Sequence, residues 1–122
     1  MTEIENLKHY DLEDRTLVFA EKVRGFVKKL PKTTANIEDG RQLVRASGSV
    51  GSNYIEANES LGKKDFLMRV KICRKEAKES RYWLRLVDTN SSNTDHEKER
   101  KELEIEATEL MNIFGSIVRK SH

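Results

Sequence analysis

One cysteine, one proline and one tryptophan are all that this 122-residue chain has of those three residue types. A lone Cys73 excludes an internal disulfide and is expected as a small core residue in a reducing compartment. With Pro31 as the only proline, long stretches are free to be helical. No apolar run approaches the roughly 20 residues of a membrane span, so no membrane partner is expected. The start, Met1-Thr-Glu-Ile-Glu-Asn, is acidic and lacks the basic start and apolar stretch of a secretory leader, which points to a cytoplasmic protein.

Catalytic patterns are missing as well. His9, His96 and His122 are the only histidines, and none completes H-E-x-x-H or the E-x-x-H of di-iron bundles. There is no C-x-x-C, no phosphate-binding P-loop and no histidine placed by pattern to activate a serine. No catalytic residue, metal site or cofactor is expected, and the chain reads as non-enzymatic.

What is present is charge on helical periodicity. Charged residues make up 36% of the chain and hydrophobic residues 36%, against roughly 25% and 45–50% in average globular proteins. So lean a core needs narrow apolar stripes with charged faces behind them. Such stripes recur at spacings of three, four and seven. The first is Leu12, Phe19, Val23, Phe26 and Leu30, with Leu17, Ala20 and Val27 alongside. The second is Leu43, Ser47, Val50, Tyr54 and Ala57. The third is Phe66, Val70, Cys73, Ala77, Ser80, Leu84 and Val87, widened by Met68, Ile72, Trp83 and Leu86. The fourth is Leu103, Ala107, Leu110, Phe114 and Ile117. Residues 1–11 read as an arm, with Asp11 as cap of the first helix. Helices are expected near 12–30, 36–59, 63–88 and 95–120. Short loops favour antiparallel neighbours, so the whole chain, 1–122, is predicted to be one all-α domain, an up-down-up-down four-helix bundle.

Two features stand out within it. The second helix carries Gly48 and Gly51 among Ala46, Ser47 and Ser52; each glycine costs roughly 1 kcal/mol against alanine, so either a helix approaches closely there or the helix breaks near Gly48-Ser49. The third helix is strongly basic. Lys63, Lys64, Arg69, Lys71, Arg74, Lys75, Lys78, Arg81 and Arg85 stand against Asp65, Glu76, Glu79 and Asp88, in a chain of net charge +2. Lys64, Lys71, Lys75, Lys78 and Arg85 share one face with Tyr82, opposite the apolar stripe. Cations with an interleaved aromatic are the pattern that lines phosphates. The competing reading is a solvated face neutralised by Glu76, Glu79 and the acids of the fourth helix. Arg45 and Glu56 lie too far apart to pair along one helix, and are expected to pair across helices or subunits.

The motifs Leu43-Val-Arg-Ala, Ser49-Val-Gly-Ser-Asn-Tyr-Ile-Glu-Ala, Lys63-Lys-Asp-Phe and Ala77-Lys-Glu-Ser-Arg-Tyr-Trp-Leu occur in this order. Through them, over roughly residues 11–118, the chain resembles the bacterial four-helix-bundle proteins encoded by intervening sequences in 23S ribosomal RNA genes. More distantly it resembles the accessory variability determinant of diversity-generating retroelements, which works with a reverse transcriptase and nucleic acid. The resemblance implies a homo-oligomer, typically a pentameric ring, and marks Arg45, Ser49, Asn53, Glu56 and Phe66 as motif residues. The family's usual N-I-A-E-G is replaced here by Asn53-Tyr-Ile-Glu-Ala-Asn, and its N-terminal aromatic segment is not clear.

Three functional readings follow. One is a non-enzymatic oligomer that binds RNA or DNA through the basic face. The alternative is a self-assembling scaffold for a protein partner, with no nucleic-acid role. An enzyme, third, would need Arg45, Asn53 and Glu56 to converge in a cleft.

Overall fold

The computed structural model of the protein describes residues 3–90 and 92–121, with side chains described from Leu12 onward. Four helices follow one another: α1 (Glu3–Lys28), α2 (Thr34–Asn58), α3 (Lys63–Leu86) and α4 (Thr94–Lys120). Each packs on its chain neighbour, and α4 closes on α1; among the described residues that seam is the sparsest and no contact crosses a diagonal. The chain is thus the antiparallel up-down-up-down bundle that the periodicity predicts.

Local chemistry fixes the helix ends. The Thr33 hydroxyl caps α2 by accepting from the Asn36 amide, and the Asn93 side chain caps α4 by accepting from the His96 amide. Pro31 lies in the turn after α1, where it cannot continue the helix. The arm expected over residues 1–11 needs correction. The backbone is helical from Glu3, and Asp11 lies inside α1. Residues 3–11 hold no proline or glycine and several good helix formers, so nothing there stops the helix. Met1 and Thr2 lie outside the described residues.

All four helices contribute to one core. Phe19 and Phe26 on α1, and Leu110 and Phe114 on α4, are fully buried. Opposite them α2 offers Ala46, Ser47 and Ala57, and α3 offers Cys73, Ala77 and Ser80. Leu43 and Val50 on α2 and Val70 and Leu84 on α3 are fully buried beside these small residues, so large and small side chains alternate along those two helices. Each large apolar side chain buried here contributes roughly 1.5–3 kcal/mol. Burial pushes the Cys73 thiol up to about 12, which leaves it unreactive in the folded chain. Leu17, expected beside the α1 stripe, is exposed instead, while Thr16 is buried in its place. The Thr16 hydroxyl is satisfied by the carbonyls of Leu12 and Glu13, so it enters the core at little cost.

The α2 glycines separate into two kinds. A Cβ at Gly51 would stand 2.8 Å from Oγ1 of Thr16, and one at Gly40 would stand 3.1 Å from Val27. These two glycines, roughly three turns apart, let α1 close on α2. Gly48 meets nothing within 4 Å, and α2 runs unbroken past it.

At the top of the bundle Asn36 joins two loops. Its side-chain amide donates to the Pro31 carbonyl at 3.0 Å and the Asp88 carbonyl at 2.7 Å, and its oxygen accepts from the Asp88 amide at 2.9 Å. His96 is buried in the first turn of α4, its ring 4.5 Å from Phe26 and its Nε2 on the Phe26 carbonyl at 3.2 Å. Arg100 donates to the carbonyls of Leu84 and Val87, closing the C-terminal end of α3.

Two expected outcomes follow from this packing. Gly51→Ala lowers stability by about 1–3 kcal/mol through overpacking against Thr16, whereas Gly48→Ala raises it by up to about 1 kcal/mol through helix propensity. Thermal unfolding of the two variants checks the opposite signs. Asn36→Ala removes the partner of the Asp88 amide and carbonyl, while the Pro31 carbonyl keeps the Thr33 amide, and lowers stability by about 1–2 kcal/mol, read from the denaturant midpoint.

Candidate nucleic-acid interface

The apolar stripe of α3 fixes which way its other side chains point. With Val70, Cys73, Ala77, Ser80 and Leu84 buried, Lys64, Lys71, Lys75, Lys78, Tyr82 and Arg85 fall on the opposite side, and all six are exposed. From Lys64 to Arg85 the row is roughly 31 Å long at helical rise. Among the described residues Lys64, Lys71, Lys75 and Lys78 make no ion pair. Arg85 approaches Glu104 of α4 only to 3.9 Å, with both in water's reach.

The acids that could have neutralised this row are turned away from it. Glu79 accepts from Arg45 of α2, and Glu76 lies 3.6 Å from the same guanidinium with its side chain 12% exposed. One Glu76 oxygen, Oε1, has no hydrogen-bond partner and relies on that nearby charge. Glu79 also accepts from the Trp83 indole N–H at 3.2 Å. Trp83 in turn meets Tyr82 edge-to-face, with centroids 5.1 Å apart and planes at 77°. An unbroken chain of contacts therefore runs from Arg45 through Glu79 and Trp83 to the exposed Tyr82. Met68 and Leu86, expected to widen the apolar surface, lie half in solvent on the edge of the basic row.

The motif residues do not form one site. Arg45 pairs with α3, not with Glu56, whose exposed side chain makes no hydrogen bond or ion pair among the described residues. Asn53 donates to the Ser49 carbonyl at 2.8 Å and accepts from Arg69 at 3.1 Å. Phe66 is half-buried against the core. These contacts stitch α2 to α3 at separate heights, and Arg45, Asn53 and Glu56 share no hydrogen bond or ion pair among the described residues. No group of three or more potential metal ligands occurs among the described residues.

A different charge pattern marks the α1–α4 seam. A cavity of about 500 Å³ lies there, floored by Phe19 and Leu103 and rimmed by Val18, Ile105, Glu102 and Glu106. Arg15 of α1 pairs with two of its acids, donating to both oxygens of Glu106 at 2.7 Å and to Glu109 at 2.9 Å, and Lys29 pairs with Glu99. The bidentate bond to Glu106, followed by Glu109, raises a guanidinium that is already permanently charged still further above its ordinary value. This cluster was not visible in the sequence, because its partners are some 91 positions apart. At the other end, the Thr89 hydroxyl and then Arg100 hold the Glu97 carboxyl below its usual range.

A sequence profile of 23S rRNA-intervening sequence proteins matches residues 8–116. A solved protein of unknown function from the S23 ribosomal protein family of Bacteroides thetaiotaomicron shares the fold with a TM-score of 0.75. It is 26% identical, over 88% of this chain and 97% of that one. The chain matches none of the curated proteins. No helix among the described residues is long and apolar enough to cross a membrane.

Glu79→Ala would remove the partner of both Arg45 and the Trp83 indole. The expected result is a loss of about 1–2 kcal/mol in unfolding free energy, reduced by the partial exposure of the pair, together with a changed Trp83 emission.

Proposed function

The chain belongs to the 23S rRNA-intervening sequence protein family, and from that premise we propose that it is a non-enzymatic, oligomeric nucleic-acid-binding protein. The observation that carries this reading is the charge sorting on α3. Lys64, Lys71, Lys75 and Lys78 stand exposed without ion pairs among the described residues, while Glu76 and Glu79 are engaged with Arg45. A row of unneutralised cations favours a polyanion, because each phosphate it contacts releases condensed counterions. One row engages only a few phosphates, so affinity would be modest for a monomer and multiplied in an oligomer by avidity. A ring of five is what the family resemblance implies, and a cytoplasmic setting fits an RNA or DNA ligand.

The alternative is a self-assembling scaffold for a protein partner, favoured by the exposed apolar residues Val18 and Ile105 at the α1–α4 seam. The two readings part on salt.

Fluorescence anisotropy with short RNA and DNA, at low and moderate salt, is expected to show binding that weakens steeply as salt rises. Light scattering on the same sample is expected to give a mass several times 14.2 kDa. Charge reversal of Lys71, Lys75 and Lys78 together should reduce the slope of log K against log salt by roughly one per lysine in contact. Unchanged binding by that triple variant would overturn the reading; an oligomer that binds no nucleic acid at low salt would favour the scaffold.

A further inference from the structure

We infer that the α3 face is built for single-stranded polynucleotide, with Tyr82 as the platform on which an unpaired base stacks. This rests on the nucleic-acid reading above and narrows its ligand.

Tyr82 is 58% exposed near the C-terminal end of the cationic row, between Lys78 and Arg85, an uncommon place for a large aromatic. Lys78 lies one turn before it and Arg85 and Leu86 one turn after, all exposed. Its ring is not free to collapse onto the bundle. Trp83 holds it edge-to-face at 5.1 Å, and Trp83 is anchored by Glu79, which Arg45 holds from α2. An edge-to-face contact covers at most one face of the phenol, so the other is open to solvent. Leu86, half exposed one turn further along, extends the apolar platform by roughly 6 Å at helical rise.

A duplex has no use for such a ring. Its base faces are stacked inside, and the deep, narrow major groove of A-form RNA is closed to side chains. A single strand presents base faces and phosphates side by side, and binding sites for it combine aromatic platforms with a cationic track along the backbone. Tyr82 and Leu86 supply the first, and Lys71, Lys75, Lys78 and Arg85 the second. Because the ring is already positioned by Trp83, stacking on it costs little ordering of the protein.

The test uses the full chain with single-stranded RNA and DNA dodecamers of the same sequence and with their duplexes, at one low salt concentration. Single strands are expected to bind at least about 10-fold tighter than the duplexes. The RNA and DNA arms show which sugar the site accepts. Tyr82→Phe keeps the ring and should bind within about 2-fold of the original chain. Tyr82→Ala should lose about 5- to 100-fold with the salt slope unchanged, since no cation is removed. Trp83 is the single tryptophan, so a base stacked on its neighbour should alter its emission, and this signal should vanish in Tyr82→Ala. Equal affinity for duplex and single strand, or a silent Tyr82→Ala in a protein whose binding is lost on reversing Lys71, Lys75 and Lys78, overturns the stacking platform and leaves the nucleic-acid reading standing. No binding to any of the four oligonucleotides overturns both.

Discussion

The link from Arg45 to Glu76 and Glu79 decides what the rest of α3 presents to solvent. A helix with nine cations and four acids between Lys63 and Asp88 has an obvious route to self-neutralisation through pairs four residues apart, such as Lys75 with Glu79. The fold does not take it. Arg45 reaches across from α2 and holds both acids on the α2 side, one of them largely buried. Removing a carboxylate from water requires a compensating charge, and Arg45 supplies one at 3.6 Å from Glu76. The lysines are left without an acid partner among the described residues. Exposed like charges about 6 Å apart in water repel by roughly 0.7 kcal/mol before salt screening, a penalty the bundle tolerates and a bound polyanion would relieve.

The same link organises the aromatic pair. Glu79 is shared between a guanidinium and an indole N–H, which fixes Trp83 in the α2–α3 groove and, through it, the ring of Tyr82. The far end of α3 is fixed separately. Arg100 donates to the carbonyls of Leu84 and Val87, and Asn36 clamps Asp88 to the α1–α2 turn. Tyr82 and Arg85 therefore sit on a stretch of helix held from two sides, by α2 along its length and by α4 at its end. A surface held this way changes little on binding, and in the proposed reading that pre-organisation would offset a modest number of contacts.

Most of the bundle was legible because burial in a helix has a period. All seven residues of the α3 stripe except half-buried Phe66 are buried, and the α2 stripe is buried throughout. The period also placed the basic row correctly, since the face opposite a buried stripe needs no further information. What the sequence could not show were contacts between distant positions. Gly48 and Gly51 look alike in one dimension, yet only Gly51 meets Thr16, and Gly40, which does comparable work against Val27, stood out by nothing local. Asn36 read as the start of a helix; its role depends on Asp88, 52 positions away. The arm was misread for a different reason. Its apolar residues do not make an obvious stripe, but helix propensity over residues 3–11 continues α1 without one. At the site, the row of cations was visible and the destination of the acids was not. Their spacing on α3 fits either a neutralised face or a bare one, and the choice lies with Arg45 on another helix.

That choice also bears on why a chain of net charge +2 can carry a strongly basic surface at all. The bundle does not dilute its charge; it sorts it. The α1–α4 seam gathers Glu99, Glu102, Glu106 and Glu109, with Arg15 and Lys29 satisfying some of them, while the outer face of α3 keeps its lysines. Within a Debye length of about 8–10 Å each face is felt largely on its own, so a ligand at α3 responds to the local row and not to the small total. Copies assembled with their α3 faces toward a common ligand would add these local fields, whereas copies joined through α3 would bury unpaired lysines at a cost of several kcal/mol each. Electrostatics thus argues that burying the basic row against another copy is unfavourable unless an anionic group accompanies it.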